Sequence, residues 1–148
     1  SSDGKGLNTE STTRVAVAGT SPSGTQQRDL GWLDYSLLRN LSTDGRMVLF
    51  DETSEGGGKL HSVYVRNTNG SAAVRLGDGT AWGLSPDGKW ALAVQSHESN
   101  APRVVLYPTG AGETRVIATK LNVETAAWMP NGQQLVVVGH LPSQGRRV

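Results

Sequence analysis

The sequence contains no cysteine, which excludes a disulfide framework and any thiolate metal site. It also lacks a long apolar run: nothing approaches the roughly 18 residues of a membrane helix. The Ser- and Gly-rich first residues do not show the charged-then-apolar layout of a signal peptide. An excess of one charge is missing too. Fourteen Lys and Arg stand against thirteen Asp and Glu, for a net charge of +1. The basic residues are scattered, so no electrostatic footprint for nucleic acid or an anionic membrane is present. Helix-forming residues in helical spacing are scarce. In their place are nineteen glycines, six prolines and short β-branched runs bounded by Gly, Pro, Asn and Asp, with four tryptophans among eight aromatic residues. That is the composition of an all-β chain.

Self-comparison finds a repeat. Leu41-Ser42-Thr43-Asp44-Gly45-Arg46, Leu84-Ser85-Pro86-Asp87-Gly88-Lys89 and Trp128-Met129-Pro130-Asn131-Gly132-Gln133 align, with their Asx-Gly pairs 43 and 44 residues apart. Asp44-Gly45, Asp87-Gly88 and Asn131-Gly132 are strong hairpin signals, read as two-residue turns in which both residues take positive φ. Each precedes an apolar strand: Met47 to Phe50, Trp90 to Val94, Leu135 to Val138. A second landmark keeps the same rhythm: Arg14 to Ala18, Ser62 to Arg66, Arg103 to Tyr107 and the terminal Arg147-Val148. Another short strand follows at Gln27 to Leu30, Ala73 to Leu76 and Thr114 to Ala118. The unit is four strands, a to d, in about 44 residues, which is the period of a propeller blade. An Ig-like sandwich also has short strands, but it has no reason to hold one register across two landmarks.

The expected fold is therefore an all-β β-propeller segment of about three four-stranded blades, with both termini in mid-blade. Residues 1–13 form a polar segment, and 14–36 supply strands c and d of a split blade. Residues 37–80 and 81–124 each form a whole blade. Residues 125–148 supply a, b and the start of c. Strands a and b at one end complement c and d at the other. Closure is expected from the remaining blades of a longer chain or from self-association, a six-bladed homodimer being one arrangement.

The Leu-Ser-Pro-Asp-Gly-Lys turn followed by an apolar strand resembles the repeats of TolB-like propellers, also described as WD-repeat-like. Further runs are more specific: Arg28-Asp29-Leu30-Gly31-Trp32-Leu33-Asp34-Tyr35-Ser36, Leu49-Phe50-Asp51-Glu52, and Val63-Tyr64-Val65-Arg66 leading to Val74-Arg75-Leu76-Gly77. These resemble the propeller found C-terminal to the kinase domain of some bacterial eukaryote-like serine/threonine kinases. The resemblance implies a non-catalytic module for binding or sensing a protein or small ligand, held on the extracytoplasmic side of the inner membrane. It implies no cofactor, nucleic acid or membrane contact. Kinase motifs are absent from the chain itself. Two other readings remain open: the gating propeller of a prolyl-oligopeptidase-like peptidase, and a structural or engineered fragment without native activity. The chain has no Gly-x-Ser-x-Gly elbow of its own.

The candidate sites are few. His97 and His140, 43 residues apart, should share b–c loops on one rim, with Ser54 in the corresponding place of the first repeat; His61 joins no pattern. Two ligands do not make a metal site. Asp51-Glu52-Thr53-Ser54-Glu55 suggests calcium, but a solvated hairpin explains it without the six or more oxygens calcium needs. Gly56-Gly57-Gly58-Lys59 lacks the context of a phosphate loop. Trp128, aligned with Leu84 and Leu41, should pack between blades, whereas Trp90 should be partly exposed. Arg39 and Trp82, aligned with each other and with Ala126 on the innermost strand, are the expected ligand contacts at the channel mouth. Asn131 and Met129, replacing Asp and Ser in the third turn, should have no consequence.

Overall fold

The computed structural model describes residues 13–53, 57–58, 60–97 and 100–141. Twelve strands are present among them: β1 (Ala18–Gly19), β2 (Arg28–Asp29), β3 (Ser36–Leu41), β4 (Met47–Glu52), β5 (Ser62–Asn67), β6 (Val74–Asp78), β7 (Thr80–Leu84), β8 (Trp90–His97), β9 (Asn100–Pro108), β10 (Arg115–Ile117), β11 (Asn122–Trp128) and β12 (Leu135–His140). They form four antiparallel sheets, each joining sequence neighbours: β1–β2, β3–β4–β5–β6, β7–β8–β9–β10 and β11–β12. Two whole four-stranded meanders thus stand between two half-sheets. The first strands β3, β7 and β11 touch in sequence, and between the two whole sheets contact thins from the first strands toward the later ones. Sheets that meet at their first strands and splay outward are the wedges of a propeller. No described helix is long and apolar enough to cross a membrane.

The apolar pattern explains the stacking. In a strand covered on both faces, successive residues face opposite neighbours, so the run reads as continuously hydrophobic. β4 shows this: Leu49 joins Val63, Val65, Ala81, Ala91, Ala93 and Val105 in one layer, while Val48 and Phe50 join Val17, Leu30 and Tyr64 in another. Phe50 and Tyr64 stack there at 5.6 Å between ring centroids. A third layer sets Leu92, Val94, Val104 and Leu106 against Val123 and Ala126. Trp90 and Trp128 border this layer, both half-buried. Trp90 is as exposed as expected, with the Arg115 guanidinium 4.3 Å over its ring.

The expectation that Leu41, Leu84 and Trp128 pack alike fails at the ends of the arc. Leu84 is buried at 8 % exposure, but Leu41 is 51 % exposed because no first or second strand of a preceding blade lies on it among the described residues. Strand c of the first half-sheet is also shorter than expected. Only Ala18–Gly19 pairs as a strand, and Val15 makes an isolated parallel bridge to Tyr35.

The repeated turns are not two-residue turns. Ser42 N donates to Met47 O and Gly45 N to Ser42 O, which encloses four residues. Gly45, Gly88 and Gly132 take positive φ, near 70°, whereas Asp44, Asp87 and Asn131 do not. Asp44 instead uses its side chain: Oδ1 accepts from Arg46 N at 3.0 Å and from Ser42 Oγ at 2.6 Å, and Ser42 Oγ accepts from Met47 N at 2.9 Å. Ser85 and Asp87 reproduce the network with Lys89 and Trp90. Asn131 keeps the backbone contact, accepting from Gln133 N at 3.0 Å. The change to Met129 does have a consequence, because its side chain cannot supply the two hydroxyl bonds.

Candidate functional site

The innermost strands carry one irregularity each. A β-bulge falls between Leu38 and Asn40 in β3 and between Ala81 and Gly83 in β7, so Arg39 and Trp82 are the extra, unpaired residues of their strands. Bulges re-aim side chains at rims and sites, and the structure thus gives Arg39 and Trp82 equivalent places. In β11 the bulge lies between Val123 and Thr125, and Ala126 pairs as Ala81 does. The alignment of Ala126 with Trp82 is therefore incorrect; the bulged residue of the third repeat is Glu124. A moved bulge changes local register without altering the strand's apolar pattern.

Arg39 and Trp82 each have their own surroundings. Arg39 Nε binds Asp51 Oδ2 at 2.6 Å, with the arginine side chain 34 % exposed and the aspartate buried. Asp51 Oδ1 reaches across to the next sheet and accepts from Ala81 N at 2.7 Å. Burial pushes the Asp51 carboxyl above its ordinary range, opposed by the Ala81 N–H and the Arg39 charge. Arg39 thus serves an interblade clip. Trp82 is half-buried beside the layer of Leu92, Val94 and Val123.

Asp51 and Glu52 are buried residues of β4, so neither belongs to a solvated hairpin or a calcium loop; Ser54, Glu55, Gly56 and Lys59 lie outside the described residues. Glu52 Oε1 accepts from Ser36 Oγ and from Leu33 N, while its Oε2 has no partner among the described residues. The acidic stretch contained these two structural anchors. Alternation along β4 was the available signal, since both follow the buried run without a break.

A second clip joins the outer strands. Tyr107 of β9 lies on Gly77 of β6, where an added Cβ would stand 2.4 Å from the phenol ring. Its hydroxyl donates to Asp78 O at 2.7 Å and accepts from Gln95 Nε2 at 2.6 Å. Burial pushes the phenol up. The preceding pair of sheets is tied differently: Arg66 donates to Gly31 O at 2.6 Å and lies 5.9 Å from the Trp32 ring centroid.

His97 and His140 end strands β8 and β12 rather than sitting in loops. By strand register Ser96, not His97, corresponds to His140, because Val94 and Val138 both stand seven residues after their turn Asx. His140 Nδ1 is 3.0 Å from Glu124 Oε1, and both are exposed. His61 takes positive φ, 57°, beside the β6–β7 connection. No group of three or more His, Cys, Asp or Glu converges among the described residues. Of the clefts between sheets, two lie beside the repeated turns and the half-buried tryptophans. One of about 640 Å³ lies between successive turns, with Asp44, Arg46, Pro86 and Asp87 on its walls. The other, about 600 Å³, is walled by Trp90, Leu106, Ile117, Trp128 and Val137.

No protein-family model matches the chain, and no curated protein matches it. Solved structures do. TolB from Acinetobacter baumannii superposes with a TM-score of 0.65 at 19 % identity, over 88 % of this chain and 33 % of that one. A protein named for TolB from Agrobacterium tumefaciens gives 0.62 at 16 %, over 85 % and 50 %. The fold is a partial TolB-like β-propeller. The chain spans between a third and a half of these neighbours' lengths, so this propeller segment is partial and other blades would complete a ring.

Proposed function

We propose that the segment is a non-catalytic binding or sensing part of a propeller attached to a bacterial eukaryote-like serine/threonine kinase, held on the extracytoplasmic side of the inner membrane. The carrying observation is the TolB-like stack of blades, in which Asp51 of β4, held by Arg39 of the inner strand β3, binds the backbone of the next sheet at Ala81. The kinase context is supported by the runs Arg28 to Ser36 and Val63 to Gly77. Ligand contact is assigned to the rim beside the bulged Arg39 and Trp82, once further blades complete the ring. Those blades come from the rest of a longer chain or from a second copy exchanging strands.

The test uses the full-length protein. Phosphoryl transfer to a generic protein substrate should occur, and Trp82→Ala should leave its basal rate unchanged. Hydrolysis of a fluorogenic prolyl peptide, with no phosphoryl transfer, would instead identify the gating propeller of a peptidase.

A further inference from the structure

A further cleft, of about 440 Å³, opens where the first half-sheet meets the first whole sheet. Three turns build it. Ser21 and Ser23 come from the β1–β2 turn, Arg46 from the turn after Asp44, and Asn67, Thr68 and Asn69 from the β5–β6 turn. The turns are locked together. Thr68 N donates to Arg46 O at 2.8 Å, and Thr68 Oγ1 donates to Gly45 O at 2.9 Å. Pro22 closes on Gly45 from the other side, 3.1 Å from where a Cβ would stand. The walls are thus set before anything binds, which lowers the ordering cost of binding.

Three arginines reach this corner, and their contacts separate their roles. Arg66 is spent on carbonyls, donating to Gly31 O, Gly70 O and Ser71 O. Arg28 lies along Gly70, its Nη1 3.4 Å from where a Cβ would stand. Arg46 lines the cleft itself. Its side chain is 78 % exposed, and its contact with Asp44, 4.0 Å long, is screened by solvent. Asp44 turns Oδ1 to Arg46 N and Ser42 Oγ, and it walls the neighbouring cleft beside Asp87. Asn69 Oδ1 accepts from Ser71 N at 3.0 Å, which holds the amide with its Nδ2 donors directed away from that bond. The next sheet separates what the fold needs from what it does not. Trp90 faces Pro108 as Met47 faces Asn67, so Pro108, Thr109 and Gly110 stand where Asn67, Thr68 and Asn69 do. Thr109 repeats both bonds of Thr68, to Lys89 O and Gly88 O. The fold therefore requires the threonine and not the two asparagines.

We infer that this cleft binds a phosphate group. Guanidinium, amide and hydroxyl donors stand on three turns around one space, and a tetrahedral phosphate carries acceptor oxygens in as many directions. Arg46 can take two of those oxygens through its planar fork. A carboxylate has its acceptors in one plane and reaches fewer of the walls. The group is either free phosphate or a phosphomonoester on a serine or threonine side chain, and the cleft recognises the chemistry that both share. The inference goes beyond the proposed kinase context and does not depend on it.

Inorganic phosphate titrated into the full chain at constant ionic strength, followed in proton–nitrogen correlation spectra, tests this. The Arg46 Nε–H and Asn69 Nδ2 signals should move saturably, and acetate should move them far less. Arg46→Gln should weaken phosphate binding about tenfold, the share of one charge-assisted contact. Asn69→Gly, matching Gly110 of the next repeat, should weaken it severalfold while backbone signals away from the cleft stay in place. Asp87→Asn, on the neighbouring cleft, should leave it unchanged. A phosphoserine peptide binding about tenfold tighter than inorganic phosphate would assign the source to a protein. Equal or weaker binding would assign it to free phosphate, and both results support the site. Movement of the Arg28 and Arg66 signals in place of Arg46, unchanged binding by Arg46→Gln, or shifts that chloride alone reproduces would overturn the inference. Because none of these readouts involves phosphoryl transfer, failure here leaves the kinase reading standing.

Discussion

At the residue scale, two contacts between sheets decide how the blades sit. Gly77 has no side chain because the Tyr107 ring occupies that space. Gly77→Ala should cost roughly 1–3 kcal/mol, the usual range for overpacking, read as a lower urea midpoint at unchanged slope. Asp51 is the other contact. Asp51→Ala removes the acceptor of the Ala81 N–H and the partner of Arg39 together. The expected loss is roughly 2–3 kcal/mol, below the range for fully buried pairs because Arg39 is partly solvated. Asp51→Asn should lose less, since an amide oxygen can still accept from Ala81. Asp51 also sets a direction with pH. Its folded pKa is raised, so between 3.8 and the folded value the native state holds a proton that the unfolded chain does not. Its contribution to stability therefore grows as pH falls through that window.

At the scale of elements, the turns show what sequence could and could not reveal. Their existence and the 43–44 residue rhythm were legible because glycine at positive φ marks a turn whatever surrounds it. Their type was not. Ser42 and Asp44 close a four-residue loop through side chains, and the same letters suit a two-residue turn. The bulges at Arg39 and Trp82 were equally hidden, since one extra residue leaves composition and strand length almost unchanged. The two candidate rim residues could be paired by spacing, but the engagement of Arg39 with Asp51 needed three dimensions.

The turns carry two predictions. Met129→Ser supplies the missing hydroxyl to Asn131 and Gln134 and should stabilise by about 0.5–1.5 kcal/mol, the net worth of a hydrogen bond, measured by urea unfolding. Asp44 and Asp87 are held below the ordinary carboxylate range by the serine hydroxyl and then by a backbone N–H. Their contribution is present above pH 3.8 and is lost as pH falls toward the folded values. Asp44→Asn with Asp87→Asn should flatten the stability profile below pH 4 while keeping the turns, as Asn131 already does.

At the scale of the whole molecule, the two ends of the arc are the exposed interiors of a stack. Val136 and Val138 are each 48 % exposed on β12, whereas Leu92 and Val94 in the corresponding places of β8 are buried. The same residue type should thus have opposite weight at the two places. Leu92→Ala should cost roughly 2–5 kcal/mol. Val136→Ala should stay within about 0.5 kcal/mol in the isolated chain and become costly only when a further blade covers it. Paired urea titrations, alone and within a longer propeller, read this difference.

The central claim is that successive four-stranded sheets pack as wedges, each against the one that follows it in the chain. Nuclear Overhauser contacts around Tyr107 test this most directly. The account places the Tyr107 ring against the α-protons of Gly77, with the Ala81 amide protected by Asp51. A Tyr107 ring contacting Val123 and Ala126 instead, with Ala81 exchanging freely, would contradict it.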